Sequence, residues 1–299
     1  MNARWQQALS LSILLCAVAW VAWQWPRSPA WAVAGLCVAV LWSLVWMGLQ
    51  FALMHRVNRG DAAQRASALQ LLRACAAEAR AAAVVFGWRQ PFRANAVPDW
   101  LPDAQPNAPR GVVLVHGYLC NRGLWNPWMP LLRARGHAFA AVTLEPAFGS
   151  IDAYAAQIDD AVRRVAAATG RAPVLVCHSM GGLAARAWLR AVPGADARVH
   201  RVITLGTPHG GTWVARWSRT ANGRQMRLAS DWLQALAASE PPQRAARFTC
   251  WYSNCDNIVF PAGTAQLPGA RNRFIAGAAH VEMAFVPRVV QACLDEISS

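Results

Sequence analysis

The 299-residue sequence contains no lysine, so its net charge of +14 is carried entirely by arginine. Charged residues are scarce as well, 15% of the chain against 55% hydrophobic. That ratio is low for a wholly soluble domain and implies that part of the chain belongs in lipid. The eight cysteines form no Cys-x-x-Cys pair and no Cys/His metal spacing, which argues against a structural zinc site. No RNA-binding or helix-turn-helix signature occurs, so nucleic acid is set aside as a partner. The basic charge instead suits anionic lipid headgroups, although a codon habit favouring arginine over lysine accounts for the composition equally well.

The missing charge is concentrated at the N-terminus. Residues 8–25 contain none, residues 29–54 contain none, and Pro26-Arg27-Ser28-Pro29 separates the two runs. Each run is long enough to cross a bilayer as a helix, at about 20 residues per crossing. Trp20, Trp23, Trp25 and Trp31 gather at the turn, as interfacial anchors do. A cleavable signal peptide followed by one buried helix is the alternative, but Ala17-Val18-Ala19 leads into more apolar sequence rather than a polar start. Residues 1–60 are therefore expected to form a transmembrane helical hairpin. Arg4 precedes the first span and Arg56, Arg59, Arg65 and Arg73 follow the second, against Arg27 alone in the turn, so both ends should face the cytoplasm. For a bacterial chain this means a multi-pass protein of the inner membrane. A disulfide between Cys250 and Cys255 would require an oxidising compartment and would contradict that placement.

Residues 61–110 read as a connecting segment: an alanine-rich helix over 61–85, lying on the membrane or packed on the domain, then a stretch punctuated by Pro91, Pro98, Pro102, Pro106 and Pro109. Beyond it strands and helices alternate. Strands are expected at 111–115, 138–144, 174–176, 199–205, 247–253 and 273–276, and helices at 122–135, 151–168, after residue 179, and at 281–297. No internal repeat or low-complexity tract interrupts them. This is the pattern of an α/β fold with a mostly parallel sheet, whose ligands sit at the carboxyl ends of the strands. A Trp- and Arg-bearing segment at about 212–243 interrupts the rhythm where a lid would.

The stretch Pro173 to Arg190 is the most informative. A short apolar strand stops at Cys177-His178-Ser179-Met180-Gly181-Gly182 and gives way at once to a helix. A serine at so sharp a turn needs small neighbours two positions away, and Cys177 and Gly181 supply them, with cysteine standing where the pattern G-x-S-x-G has its first glycine. A serine N-cap after an ordinary buried strand would look similar. A serine hydroxyl needs a base within reach and a third group to orient that base. Asp256 follows the penultimate strand and His280 the last, in the order Ser, Asp, His. Backbone N–H groups of Tyr118 and Met180 are the candidate oxyanion donors. His116, His178 and His209 read as structural, Asp152, Asp159 and Asp160 as solvated helix charges, and Asp231 and Glu240 as weaker rivals to Asp256.

These residues resemble the α/β-hydrolase family, within it the bacterial lipase and esterase branch. The likeness rests on His116-Gly117-Tyr118, His178-Ser179-Met180-Gly181-Gly182, Leu205-Gly206-Thr207-Pro208-His209-Gly210-Gly211-Thr212, Asp256-Asn257-Ile258-Val259-Phe260-Pro261 and His280, and covers about 111–299. It implies hydrolysis of carboxylic esters through an acyl-enzyme, with no metal or organic cofactor. A tethered site would meet bilayer-dissolved acyl esters at high effective concentration, which favours lipidic substrates. An acyltransferase using the same three residues, or a non-catalytic membrane interaction module, remains an alternative. The sequence leaves the oligomeric state open.

Overall fold

The computed structural model describes residues 2–61, 65–103 and 108–299. Helices α1 (Asn2–Gln24) and α2 (Pro29–Val57) come first, and both are long and apolar enough to cross a membrane. Ser28 caps α2 by accepting from the Trp31 N–H, and Pro29 occupies the first turn, where its missing N–H costs nothing. Trp20 Nε1 donates to the Ala32 carbonyl at 3.2 Å and ties the two helices together near the turn. Along α2 the environment changes once. From Pro29 to Trp46 the apolar side chains are mostly exposed, with Trp42 71% and Trp46 60% accessible, whereas Met47, Gln50, Phe51 and Met54 form an inward stripe at helical spacing. Phe51 and Met54 cluster with Ala74, Cys255, Phe260 and Ala279, so this helix ends inside the domain that follows.

Helix α3 (Ala68–Val84) opens with a capping box between Ser67 and Gln70 and runs into a π turn, Val85–Arg89, and the short α4 (Gln90–Phe92). Residues 62–64 of the expected connecting segment lie outside the described residues. The face of α3 bearing Ala74 and Glu78 is buried and continues into Val85, while Leu69 and Leu72 remain exposed. The proline-punctuated stretch follows the sheet edge. Trp100 and Phe139 exchange backbone hydrogen bonds of 3.0 and 2.8 Å, and Asp99 accepts from Arg122 at 2.7 Å and Arg164 at 2.6 Å. Pro106 falls within 104–107, outside the described residues.

Among the described residues the sheet has six strands: β1 (Val112–Val115), β2 (Phe139–Ala141), β3 (Val174–His178), β4 (Arg201–Leu205), β5 (Phe248–Tyr252) and β6 (Arg271–Phe274). Their order is β2-β1-β3-β4-β5-β6 and every pair is parallel. Parallel strands buried on both faces read as unbroken apolar runs. Here Val113, Val115, Leu175 and Val202 face α6 (Ala155–Thr169) and α7 (Met180–Ala191). Val112, Leu114, Val176 and Ile203 face α5 (Trp128–Ala134) and α10 (Pro287–Ser298). The result is a three-layer α/β/α sandwich with its loops at the strand ends.

Several elements are shorter than the pattern predicts. The helix expected at 122–135 divides into a 3₁₀ turn, Arg122–Trp125, and α5, because Pro127 interrupts it. Pro287 divides the closing helix in the same way. Strand β2 stops at Ala141, and by Leu144 the backbone N–H turns to His116 Nε2 at 2.9 Å instead of the ladder. Strand β6 starts two residues early, at Arg271. Asp159 is not a solvated charge: it is buried, accepts from Trp188 Nε1 at 3.0 Å, and pairs with Arg163 and Arg198 at 2.8 Å each. The segment 212–243 consists of a 3₁₀ turn, Trp213–Trp217, then α8 (Ala221–Gln225) and α9 (Asp231–Ala238). Beyond α9, buried Arg186 of α7 grips Glu240 in a bidentate pair, Nε and Nη2 donating at 2.8 and 2.7 Å. Cys250 and Cys255 are separate buried thiols, each pushed up to about 11 by burial.

Candidate active site

Strand β3 delivers Ser179 at the carboxyl edge of the sheet, and α7 begins at the next residue. Ser179 has φ 54° and ψ −130°, a conformation L side chains avoid and one that costs on the order of 1–3 kcal/mol. The surroundings hold it there. Its N–H donates to the Leu205 carbonyl at 2.9 Å, and its carbonyl accepts from Thr207 Oγ1 at 2.7 Å. Gly181 is required by close approach: a Cβ there would lie 2.6 Å from the Val115 carbonyl oxygen and 2.7 Å from that of His116. Gly117 gives Ser179 its room on the other side, since a Cβ would stand 2.6 Å from the serine Cβ. Cys177, the departure from the glycine pattern, is wholly buried in β3, where burial raises its thiol far above the usual range. The N–H of Met180 belongs to the first turn of α7, whose initial donors have no partner within the helix.

His280 sits in the loop after β6 and Asp256 in the loop after β5. Nδ1 of His280 donates to the Asp256 carboxylate, with both oxygens at 2.9 Å, which leaves Nε2 as the basic nitrogen. Asp256 is fixed in turn by the N–H groups of Ile258 and Val259 at 3.0 and 2.7 Å. Burial disfavours the imidazolium, but the charge and hydrogen bond of Asp256, with the charge of Glu78, outweigh it and raise His280 above 6.5. His178 donates through Nε2 to the His280 carbonyl at 3.1 Å, and burial lowers it to about 3, so it is a neutral strut beneath the loop. His116 likewise serves structure. It donates from Nδ1 to the Gly117 carbonyl at 2.8 Å, accepts from Leu144 through Nε2, and is lowered by burial to about 4.

Ser179, His280 and Tyr118 line one cavity of about 290 Å³, and Asp256 stands behind His280. The walls also include Met47, Gln50, Glu78, Ala82 and Phe86 from α2, α3 and the π turn, and none of the lining residues comes from 212–243. A groove of about 320 Å³ between α5 and α10 contains neither a serine nor a histidine. Among the described residues no group of three or more His, Cys, Asp or Glu is placed to hold a metal ion.

A model of the alpha/beta hydrolase family matches residues 112–294, more than half of the chain and all six strands. The chain belongs to the alpha/beta hydrolase family. A search of the curated proteins found no match. Among solved structures, this hydrolase is similar to the mature lipase BlEst2 of Bacillus licheniformis, at 20% identity and a TM-score of 0.58 over 66% of this chain and 96% of that one. It is also similar to lipase B of Aspergillus fumigatus, at 18% identity and 0.57 over 64% and 53%. A metagenomic carboxyl esterase, MGS0156, matches at 17% identity and 0.53 over 66% and 77%. At these identities the likeness is one of fold.

In this hydrolase the three loops that carry the candidate residues are each hydrogen-bonded to the N-terminal segment. Gln6 of α1, itself buried, donates to the Leu119 carbonyl at 2.8 Å beside Tyr118 and joins Gln90 and Asn121. Gln50 of α2 accepts from Asn257 at 3.1 Å beside Asp256, and Asn58 accepts from the Ala262 N–H at 3.1 Å. Glu78 of α3 accepts from the N–H groups of Val281 and Glu282 at 2.9–3.0 Å, beside His280. The sequence reading missed Glu78. Its signal was the helical spacing of Ala74, Glu78 and Val85, which puts an acid in an otherwise apolar stripe.

Glu78 makes a pH prediction. If His280 is the general base it must be neutral to act, and kcat/KM should then rise with pH through its raised value. Burial raises the Glu78 carboxyl above its ordinary value; where it is ionised, Glu78→Gln keeps an acceptor oxygen for the loop but removes the negative charge, and the acid limb should move to lower pH. The same coupling has the opposite effect on stability: a raised histidine favours the fold below 6.5, and that contribution is lost as pH rises through the folded value. Parallel pH–rate and thermal-denaturation profiles of both proteins check this. An unmoved limb would show that the Glu78 charge does not reach His280.

Proposed function

We propose that this protein is a membrane-anchored serine hydrolase that cleaves carboxylic esters of lipidic acyl chains. The carrying observation is the cavity that holds Ser179, on its strained turn, together with the His280–Asp256 pair. In this reading His280 Nε2 takes the proton from Ser179 Oγ as the hydroxyl attacks the ester carbonyl. The N–H groups of Tyr118 and Met180 receive the developing oxyanion, and Met180 adds the positive end of α7. His280 then protonates the leaving alcohol, and water attacks the acyl-enzyme by the same steps in reverse. Asp256 holds the tautomer and balances the imidazolium charge. Fold similarity to lipases and a carboxyl esterase supports ester hydrolysis as the reaction class.

The hairpin would hold the site at the inner membrane with the catalytic domain on the cytoplasmic side, a reading supported by the arginine distribution. Detergent-purified protein is expected to hydrolyse p-nitrophenyl acyl esters and to be labelled by a fluorophosphonate at Ser179, located by peptide mass mapping. Neither hydrolysis nor labelling would turn the reading toward a non-catalytic module.

A further inference from the structure

The cavity wall contains a helix that the chemistry above does not use. Along α2 the mostly exposed stretch from Pro29 to Trp46 is about 27 Å long at 1.5 Å per residue, close to the roughly 30 Å of a bilayer's hydrocarbon. The inward stripe starts at the very next residue, Met47, and Met47 and Gln50 both line the cavity. Trp42 and Trp46, exposed just before that point, suit the interface between lipid and water. The cavity therefore begins at the level where α2 leaves the lipid. Ala82 and Phe86 line the same cavity, and the exposed ring of Phe148 meets the lining residue Tyr118 at 6.1 Å between centroids. Polar groups in this part of the wall are few: Gln50 is engaged by Asn257 and Glu78 by the loop amides, so the surface left for a ligand is largely apolar.

We infer that the membrane-spanning helix α2 is itself one wall of the acyl-chain site, with Met47 facing Ala82 and Phe86 across the bound chain, and that the chain is drawn from the adjoining leaflet. This rests on the ester-hydrolase reading and adds the identity of the acyl wall and the route of entry. The cavity is about twice the roughly 150 Å³ that admits a benzene ring, a size suited to one acyl chain of moderate length. Three side chains then set chain-length preference. Bulk added at position 47 or 82 shortens the site, and bulk removed at position 86 lengthens it.

The test uses the full-length protein in lipid nanodiscs with p-nitrophenyl butyrate and laurate, and with fluorophosphonate labelling of Ser179 as the check on site integrity. Met47→Trp and Ala82→Phe should each lower the laurate-to-butyrate ratio of kcat/KM by roughly tenfold or more, and Phe86→Ala should raise it. Val45→Trp, with more bulk added on an exposed position of the same helix, should leave the ratio at the wild-type value. Laurate hydrolysis should follow the mole fraction of ester in the lipid, so that added lipid at constant total ester slows it. Ratios unchanged in variants that still label would overturn the acyl wall, as would a laurate rate indifferent to added lipid for the route of entry. If Met47→Trp fails to fold, Phe86→Ala carries the decision by its opposite sign. A wild-type protein that neither labels nor hydrolyses would overturn the ester-hydrolase reading itself, and that result is distinct from the others.

Discussion

Ser179→Ala is expected to lower kcat by on the order of 10⁴- to 10⁶-fold, or about 5–8 kcal/mol in the barrier, with the fold retained. The size follows from the division of labour. In the proposed mechanism no acyl-enzyme can form without the hydroxyl, and what would remain is the attack of water assisted by the oxyanion donors and by binding. The fold should survive because Ser179 is held by its backbone, through the bonds to Leu205 and Thr207, and among the described residues no hydrogen bond of its hydroxyl holds the turn. Alanine at φ 54° keeps the strain of the wild-type residue without adding to it. The measurement is burst and steady-state hydrolysis of a p-nitrophenyl ester, with thermal denaturation and fluorophosphonate labelling on the same samples. Residual activity within tenfold of wild type would remove Ser179 from the role of nucleophile.

Asp256→Asn should cost about 10³- to 10⁴-fold in kcat/KM for a different reason. The asparagine oxygen can keep the bonds from the N–H groups of Ile258 and Val259, since both converge on Oδ1. That orients its NH₂ toward His280, where two amide hydrogens meet an Nδ1–H. The imidazole relieves the clash by moving its proton to Nε2, and a protonated Nε2 cannot accept from Ser179. The variant should therefore fold and bind yet be slow at neutral pH, with the acid limb of its pH profile displaced downward because the carboxylate charge is gone. A slow fluorophosphonate reaction together with an unchanged melting curve is the expected pair of results. Wild-type rates in this variant would mean that another acid orients the base.

The parts of this molecule legible in the sequence are those whose cause is local. Strand, tight turn and helix around Ser179 lie within one short stretch, and the small residues at Cys177 and Gly181 announce the turn before any tertiary contact exists. The parallel sheet showed itself through apolar runs such as Val112–Val115, and the two uncharged runs showed themselves by length. Residues whose meaning depends on partners far along the chain were not legible. Glu78 reads as one acid in an alanine-rich helix until Val281 arrives from 203 residues away, and Gln50 until Asn257 arrives from 207. Asp159 looked like a surface charge because only the packing of α6 against α7 brings Trp188 over it. The helix breaks at Pro127 and Pro287 could have been read, since proline's missing N–H and fixed φ act locally.

Helix α2 has no break between Pro29 and Val57, and that continuity has a mechanical meaning. A rod of about 43 Å cannot tilt at one end alone. If, as proposed, its first part lies in lipid while its end is held at the loops by Asn257 and Ala262, a change of slope imposed by a thinner or thicker bilayer would become a displacement of Met47 across the cavity. Under that proposal bilayer thickness would enter the dimensions of the site, and the membrane would act on this molecule as a lever as well as a support.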